Sequence, residues 1–344
     1  MSTAYQNWQN ASNTTEQYLT AAMMLERAEA DDVLNECFKE IPHDAKSGRS
    51  LRLPRWAVPA VNTTAVSEGI NNAVRNLVPE NVYVTLSEYQ ESFGWTSQAE
   101  NMDPLDYAAG AAEVGHDLVK RDRTALKWSE MISGTQVIYN SSSISSRGTV
   151  NGVITAGRID QAVSILQAAK AKAYANLALG SNKVGSSGLM AGFRAYGHTD
   201  LLPDLEALRN WVPVSNYPAD VRGNPNEVGA AASGRCRFVL SSELTPVADI
   251  GAAVSGTNLR STTGTLADVY PIVIVGQGAM SCVPLRKRGT SGKGNLTVHQ
   301  INTPDRSDPG NLTRIWSAVW TEGYLVTNEL WVIRVEVACS DAYA

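Results

Sequence analysis

Apolar residues recur at helical spacing in the first part of the chain. From Tyr18 to Cys37 they fall mostly on one face of a predicted helix. This helix is expected to end before Pro42, because proline lacks the amide hydrogen that a helix interior requires. A longer helix is predicted from Leu105 to Met131, a rod of roughly 40 Å at a rise of about 1.5 Å per residue.

The long helix has a recognisable start and a slim first half. Asp103 is its predicted N-cap, and Pro104 suits the first helical position, where no amide donor is needed. Alanine and glycine dominate residues 108–115, so this half presents little bulk. Further along, the apolar spacing predicts shorter helices over residues 159–173 and 203–210.

The last third of the chain favours strands. Apolar runs begin at Cys236 (CRFVLSS), Tyr270 (YPIVIVGQG) and Cys282 (CVPL). The closing block IWSAVWTEGYLVTNELWVIRVEVA alternates apolar and polar residues in two runs. It predicts an antiparallel strand pair that turns near Thr327 and Asn328. Long helices followed by late strands indicate the α+β class.

The stretch from Lys46 to Leu86 is unlike a globular core. It has prolines at positions 54, 59 and 79 and only short apolar pairs between polar residues. This pattern predicts extended strands or a long hairpin that reaches away from the body of the protein. An excursion of this length is uncommon in a compact domain and is usually functional. An ordinary surface hairpin is the alternative, and the sequence favours neither.

Composition excludes several classes of protein. Of the 344 residues, 43% are hydrophobic, so neither a disordered chain nor a small disulfide-bonded module is expected. The net charge is −5, without the basic excess of a freely exposed nucleic-acid binder. Charged residues make up 18%, which is low for a soluble domain. Two explanations stay open: extensive coverage by other subunits, or a surface rich in Ser, Thr and Asn.

The N-terminus and the cysteines carry no targeting or metal signal. Residues 1–14 are polar and predict a flexible arm. The chain begins without the basic and apolar segments of a signal peptide, and it contains no apolar run of about 18 residues. No Cys-x-x-Cys pair occurs. Free, buried thiols in a reducing compartment are therefore expected at Cys37, Cys236, Cys282 and Cys339.

The residues 276–278, Gly-Gln-Gly, form the nearest approach to a nucleotide-binding motif. A dinucleotide fingerprint needs a third glycine and a helix N-terminus on which the pyrophosphate rests. Here Ser281 replaces the third glycine, and the basic residues 286–288 that follow are not helical in pattern. A glycine pair between a strand and a turn is the predicted explanation.

Acid–base and metal motifs are incomplete. No two of the four histidines stand three or four positions apart, so no local metal pair is present. His198 and Asp200 are close, but no Gly-x-Ser-x-Gly elbow supplies a nucleophile, and Asp200 is expected to begin a helix. Asp204 and Glu206 do not share a helix face. Three tryptophans are expected to fill a core or an interface: Trp316, Trp320 and Trp331.

The basic residues Arg49, Arg52 and Arg55 allow two interpretations. A spacing of three does not keep side chains on one face of a strand, because the strand period is two. The arginines could contact acidic patches of a neighbouring subunit, or they could simply be solvated charges. The same two interpretations apply to residues 286–288.

The order of these features resembles the major capsid proteins of tailed phages with the Hong Kong 97-type (HK-97-like) fold. Within them, the chain looks similar to the N-four-type phage major capsid family. Four segments carry the resemblance: RLPRWAVPAVNTTAVSEG at 52–69, GHTDLLPDLEALRNWVPVSNYP at 197–218, YPIVIVGQGAMSCVPL at 270–285 and the closing WTEGYLVTNELWVIRVEVA.

The resemblance implies a division of the chain. Residues 1–40 would form an N-terminal arm and the first helix, and 41–98 an extended loop hairpin with its base. Residues 99–155 and 300–344 would form a peripheral domain, with the long helix as its spine and the C-terminal strands beside it. Residues 156–299 would form the axial domain.

The resemblance also implies a structural role without catalytic, cofactor-binding or metal-binding residues. Pentamers and hexamers would close into an icosahedral virion shell around double-stranded DNA, assembled in the host bacterial cytoplasm. The slim half of the spine helix would bend as the shell expands. Portal, scaffolding and decoration proteins are the other implied partners, and no membrane is. Candidate inter-subunit contacts are Arg49, Arg52, Arg55, Trp56 and Glu68. The alternatives are an encapsulin-like nanocompartment shell and a nucleotide-binding α/β enzyme.

Two further expectations concern assembly in this family. Some relatives carry a long fused scaffolding segment, whereas this chain has only about 20 residues before its first predicted helix, so a separate scaffold is expected. Some relatives cross-link a loop lysine to an asparagine of a neighbour. Lys46 is the only lysine from residue 40 to 100 and lies at the loop base, so no such cross-link is expected.

Overall fold

Two β-sheets, a separate two-stranded hairpin and α-helices make up the part of the chain described by the computed structural model. That part comprises residues 33–44, 46–65, 68, 74–103, 105–174, 188–218, 226–254, 257–286, 296–301, 303–304 and 308–341. Its α-helices are α1 (Ser97–Met102), α2 (Tyr107–Met131), α3 (Ala156–Ala168) and α4 (Leu202–Glu206). Its strands are β1 (Phe38–Glu40), β2 (His43–Asp44), β3 (Ser50–Trp56), β4 (Pro79–Thr85), β5 (Ser87–Thr96), β6 (Val137–Tyr139), β7 (Phe193–Gly197), β8 (Val212–Pro213), β9 (Glu227–Ala231), β10 (Cys236–Leu240), β11 (Tyr270–Val275), β12 (Met280–Arg286), β13 (Thr297–Ile301), β14 (Thr313–Val326) and β15 (Val332–Val337).

A seven-stranded sheet has the order β6-β15-β11-β7-β10-β9-β8. Its central strand β11 is buried along its whole length, which explains the unbroken apolar run YPIVIV. Helix α3 covers one face with Ile159, Ala162, Val163 and Leu166, spaced so that all four point the same way. The helix packs on Ile272 and its neighbours in one continuous core.

A six-stranded sheet is organised around the long strand β14. Strand β5 pairs antiparallel along one edge, from Thr96 opposite Thr313 to Ser87 opposite Glu322. Along the other edge, β12 pairs with residues 322–326 of β14, and β13 pairs with residues 315–319. The short strands β1 and β2 add in parallel to β12.

Helix α2 packs along β14 in matching steps. A Cβ placed on Gly115 would come within 2.2 Å of the Trp316 ring. Eight residues later, the Arg123 guanidinium lies 6.0 Å from the Trp320 ring centroid. Val119 lies in the same cluster, halfway between the two contacts. Four helical residues rise about 6 Å and two strand residues about 7 Å, so helix and strand stay in register.

The two sheets share a core and two connections. Val273 of β11, Val326 of β14 and Trp128 of α2 belong to one buried cluster. The connection from β11 to β12 lies beside the connection from β14 to β15. The Gly276 amide donates to the Trp331 carbonyl at 2.9 Å, and the Thr327 amide donates to the Ala279 carbonyl at 2.8 Å. The sheets are therefore joined as one packed body at this junction.

The start of α2 corrects the sequence prediction. The N-cap is Asp106, whose carboxylate accepts the amides of Ala108 at 3.1 Å and Ala109 at 3.0 Å. Asp103 instead ends the short helix α1, which the sequence did not predict, and accepts the Tyr107 hydroxyl at 2.6 Å. Both aspartates stand near a helix end, so spacing alone could not distinguish them. Pro104 lies outside the described residues.

The predicted first helix does not extend to Cys37. Residues 33–37 form turns, and the chain then pairs with β12 as β1. Val33, Leu34, Cys37 and Phe38 are buried in the core shared by both sheets, so tertiary pairing overrides helical spacing here. The earlier part of that helix and the polar arm at 1–14 lie outside the described residues.

The closing antiparallel pair is also corrected. Strand β14 pairs with β5, β12 and β13, whereas β15 pairs with β11 and β6 in the other sheet. The chain does turn at the predicted place, where the Asn328 side chain caps a single helical turn by accepting the Leu330 amide at 3.2 Å. This turn carries the chain between sheets instead of folding it back on β14.

Other predictions are confirmed within the described residues. Strands occur at 236–240, 270–275 and 280–286, and helices at 156–168 and 202–206, although both helices end earlier than predicted. All four cysteines are free and buried. Trp316 and Trp320 are buried in the core under α2, and Trp331 packs partly buried on the shared core. Among the helices described, none is long and apolar enough to cross a membrane.

Candidate subunit-contact surface

The predicted long hairpin is present as a two-stranded sheet of its own. Strands β3 and β4 pair antiparallel from Ser50 opposite Thr85 to Trp56 opposite Pro79. The pairing continues for one more step, because the Ala57 amide donates to the Val78 carbonyl at 2.9 Å. The hairpin is therefore an ordered projection and not a loose loop.

The base of the hairpin is anchored by the apolar side chains at alternate positions of its two strands. Leu51 and Leu53 on β3 face inward with Val82 and Val84 on β4, and they pack on a small core beneath the six-stranded sheet. Gly323 of β14 permits this approach, because a Cβ there would lie 2.8 Å from the Val84 side chain. The inward face thus fixes the direction in which the hairpin leaves the body.

The three candidate arginines all lie along this hairpin, and each is held by a contact within the chain. Arg49 Nε donates to the Leu86 carbonyl at 2.9 Å, and Arg52 Nε donates to Asn81 Oδ1 at 2.7 Å. Arg55 Nε pairs with Glu80 at 2.6 Å. These bonds cross from β3 to β4 or to the residue after it. The guanidinium groups brace the hairpin while their side chains stay exposed to solvent.

Large apolar side chains are exposed beyond the base. Trp56 is 66% exposed, Val58 94% and Val74 96%. Further exposed apolar residues in the same projection are Val61, Leu77, Val78 and Tyr83. Sequence analysis selected only Trp56 from this set. The other six are not among the sequence candidates, because the prolines and short apolar pairs predict an extended segment without showing which of its side chains stay exposed.

The projection also differs in charge from the rest of the chain. Residues 46–86 contain five basic and two acidic side chains, a net charge of +3, whereas the whole chain carries −5 and the remainder therefore carries −8. Glu68, the fifth candidate, is exposed between segments that lie outside the described residues. An exposed, apolar and basic projection on an acidic body is suited to contact with another acidic body.

The Gly-Gln-Gly turn at 276–278 is followed by a strand, whereas a phosphate site needs a helix at that place. Residues 276–278 form a turn in which Gly278 has φ +79, and the chain continues directly into strand β12. No helix begins there, so no helix N-terminus faces the turn. The prediction of a glycine pair between a strand and a turn is confirmed.

His198 and Asp200 form a structural cap. The Asp200 amide donates to His198 Nδ1 at 3.1 Å, so His198 begins the helical turn in which Asp200 lies, and Asp200 is not the entry residue. The Asp200 carboxylate accepts the Tyr270 hydroxyl at 2.9 Å and lies 2.9 Å from the Arg260 guanidinium. Burial lowers the pKa of His198, which favours its neutral form. In the part of the chain searched, no three potential metal ligands cluster.

The fold of the chain is similar to that of chains in solved phage capsids. A chain in the capsid of Ralstonia phage GP4 matches with a TM-score of 0.68 and 11% identity over 100% of both chains. The capsid of cyanophage Pam1 matches with a TM-score of 0.60 and 12% identity, covering 94% of this chain and 98% of that one. A chain of Mycobacterium phage Che8 matches with a TM-score of 0.58 and 14% identity over 93% and 96%.

No family profile and no curated protein matches the chain. The similarity is therefore one of fold, carried by nearly the whole length of each chain. The protein has the mixed α and β fold of phage capsid subunits.

Proposed function

We propose that the protein is a structural major capsid protein that self-assembles as pentamers and hexamers into an icosahedral shell around double-stranded DNA. The observation that carries the proposal is the projecting hairpin, with its row of exposed apolar side chains, on a fold shared with phage capsid subunits. Arg49, Arg52, Arg55, Trp56 and Glu68 are proposed to lie at the contact between neighbouring subunits.

Burial of the projection would supply part of the assembly energy. Covering one large apolar side chain is worth about 1.5–3 kcal/mol. Several such contacts on each subunit, made to several neighbours at once, reinforce one another through multivalency. The low share of charged residues, 18%, is in keeping with a chain whose surface is largely covered.

We further propose the Hong Kong 97-type division, with the N-terminal arm at 1–40 and the extended loop at 41–98. The spine helix α2 and the six-stranded sheet would form the peripheral domain. The axial domain, placed at 156–299 by sequence, would be built on the seven-stranded sheet. It would therefore gain β6 and β15, and β12 and β13 would pass to the peripheral domain. Membership of the N-four-type family stays a prediction.

The proposed setting follows from this function. The protein would be located in the virion after assembly in the host bacterial cytoplasm, with a separate scaffold, a portal and a decoration protein as further partners. It would enclose DNA without reading its sequence, in keeping with the net charge of −5. An enzymatic role is not proposed, since the glycine turn leads into a strand.

Assembly tests the proposal through the hairpin. The double variant W56S/V58S removes two exposed apolar contacts without disturbing the inward face, so it should remain folded and fail to form shells. The matched control is L312S, which removes an apolar side chain of similar exposure, 64%, from the body and should assemble. Sedimentation velocity and negative-stain imaging give the readout.

The wild-type chain should sediment as capsomers or shells far heavier than 36.9 kDa. A wild-type chain that stays monomeric at every salt and protein concentration would contradict self-assembly of the chain alone and would make the proposed scaffold a requirement for shells. If W56S/V58S and L312S assemble equally well, the exposed apolar residues of the hairpin do not form the contact between subunits. Shells that co-purify with protein cargo and no DNA would indicate a nanocompartment in place of a virion.

A further inference from the structure

Glu91 of β5 lies in an apolar layer under the long helix. Side chains two positions apart on a strand share a face, and Tyr89, Phe93 and Trp95 of this strand all pack in the cluster that includes Val119 of α2. Glu91 therefore points to the same face, and it is only partly exposed. Its cross-strand partner is Ala318, which offers no charge.

Asp122 of α2 comes to the same layer from the helix. It stands three residues after Val119, and residues three apart lie on one side of a helix. Its Oδ2 atom is enclosed and has no hydrogen-bond partner among the described residues. Two carboxyl groups thus face the layer between α2 and β5, one from the helix and one from the strand.

The charged groups around this pair are oriented towards other partners. Arg123 binds Glu322 at 2.7 Å, and Arg121 lies 3.3 Å from Asp117 and 3.6 Å from Glu243. Lys120 lines a cavity on the flank of the helix, together with Arg123, Lys127, Glu40 and Glu322. Tyr89, the titratable neighbour on β5, stacks on Trp320 at 5.8 Å.

Both carboxyl groups hold their protons more tightly than the same groups do in water. Burial raises the pKa of Glu91 and of Asp122, and the charge of Asp122 raises the pKa of Glu91 further. A group whose pKa is higher in the folded chain binds its proton more tightly there than in the unfolded chain. Its contribution to stability is present at low pH and is lost as pH rises through the folded pKa.

We propose that Glu91 and Asp122 form a proton-operated latch between the long helix and strand β5. Acid neutralises the pair and holds α2 on the sheet. Ionisation at higher pH sets two like charges against each other in an apolar layer and loosens the helix. The latch is a property of the isolated subunit and does not depend on the proposed capsid role.

The test uses the full-length chain, kept at a concentration where it sediments as one species. Urea midpoints are measured from pH 4 to 8 for the wild type, E91Q, D122N and the control E88Q. Glu88 lies on the same strand but is exposed on the opposite face. E91Q and D122N should each raise the folded-to-unfolded ratio at pH 8 by about two- to tenfold over wild type and flatten its decline with pH.

Two further readouts make the result decisive. The double variant E91Q/D122N should gain less than the sum of the single gains, because removing either charge already relieves the repulsion. Hydrogen exchange in residues 115–126, corrected for its intrinsic pH dependence, should show faster opening at pH 8 than at pH 5 only when both carboxyls are present. Variants that match E88Q, or that lose stability at pH 8, would overturn the latch.

Discussion

Gly115 is the residue at which the long helix comes nearest to its sheet. The Trp316 ring occupies the space that any Cβ at this position would need. Ala108 and Ala111 pack against the same cluster. Close packing on the sheet thus accounts for the small residues at 108, 111 and 115, within the segment from which bending of the helix is expected.

Substitution of Gly115 should separate packing from helix propensity. Alanine is favoured over glycine inside helices by about 1 kcal/mol, so G115A would be stabilising without the tryptophan. With the Trp316 ring at 2.2 Å, we expect G115A to lower the free energy of unfolding by about 1–3 kcal/mol. Urea denaturation measures the change.

Gly110 provides the matched control on the same helix. A Cβ there meets nothing within 4 Å, so G110A should stabilise the protein by about 0.5–1 kcal/mol. If G115A and G110A shift the midpoint in the same direction, the close packing on Trp316 is not what the glycine provides.

Single residues also show where sequence reasoning stops. Asp103 is the N-cap that the sequence predicts, and only the fold shows that Asp106 caps α2. The sequence names Trp56 as a contact candidate but not Val58 or Val74. Their exposure can be seen only in the fold, which shows that no other segment of the described chain covers them. The burial of the four free cysteines could be predicted, because it depends only on apolar residues near them in the sequence.

At the scale of elements, local pattern predicts the late apolar strands but not their partners, and it does not predict β5 or β7. The run YPIVIV indicates a buried strand wherever it pairs, and β11 is buried throughout. The closing block also has the alternation of two strands, but its turn at Asn328 moves the chain to another sheet. Pairing depends on segments such as β5 that lie far away in sequence.

A buried ion pair ties two strands of the seven-stranded sheet together. Arg194 of β7 binds Glu227 of β9, with side-chain exposures of 8% and 3%, and it also contacts Glu36 at 3.1 Å. R194M would leave Glu227 buried without the ion pair to Arg194. We expect a loss of about 3–5 kcal/mol in the free energy of unfolding, measured by urea denaturation.

A surface pair gives the comparison for R194M. Arg235 lies 3.4 Å from Asp160, whose side chain is 52% exposed, so R235M should cost no more than about 1 kcal/mol. The double variant R194M/E227M should recover part of the stability that R194M loses, because Glu227 is then no longer a buried carboxylate without its closest partner. A loss no larger than that of R235M would contradict this account of the pair.

At the scale of the whole molecule, the fold and the hairpin raise the question whether neighbouring subunits become covalently cross-linked. Lys46, the only lysine between residues 40 and 100, is exposed at the hairpin base with φ 69. We expect no lysine-to-asparagine cross-link through the hairpin. Denaturing electrophoresis of mature particles should show one band at 36.9 kDa, and a ladder of covalent multimers would contradict the prediction.

The long strand β14 has a consequence for how the protein is made. Thr96 pairs with Thr313, which follows it by 217 residues, and the other β5 pairs are further apart still. Contacts between such distant residues form slowly, because a large loop must close first. The six-stranded sheet cannot be completed until a ribosome has synthesised nearly the whole chain. Truncated translation products would therefore lack a finished six-stranded sheet, and under the proposed function such incomplete copies would be kept out of the shell.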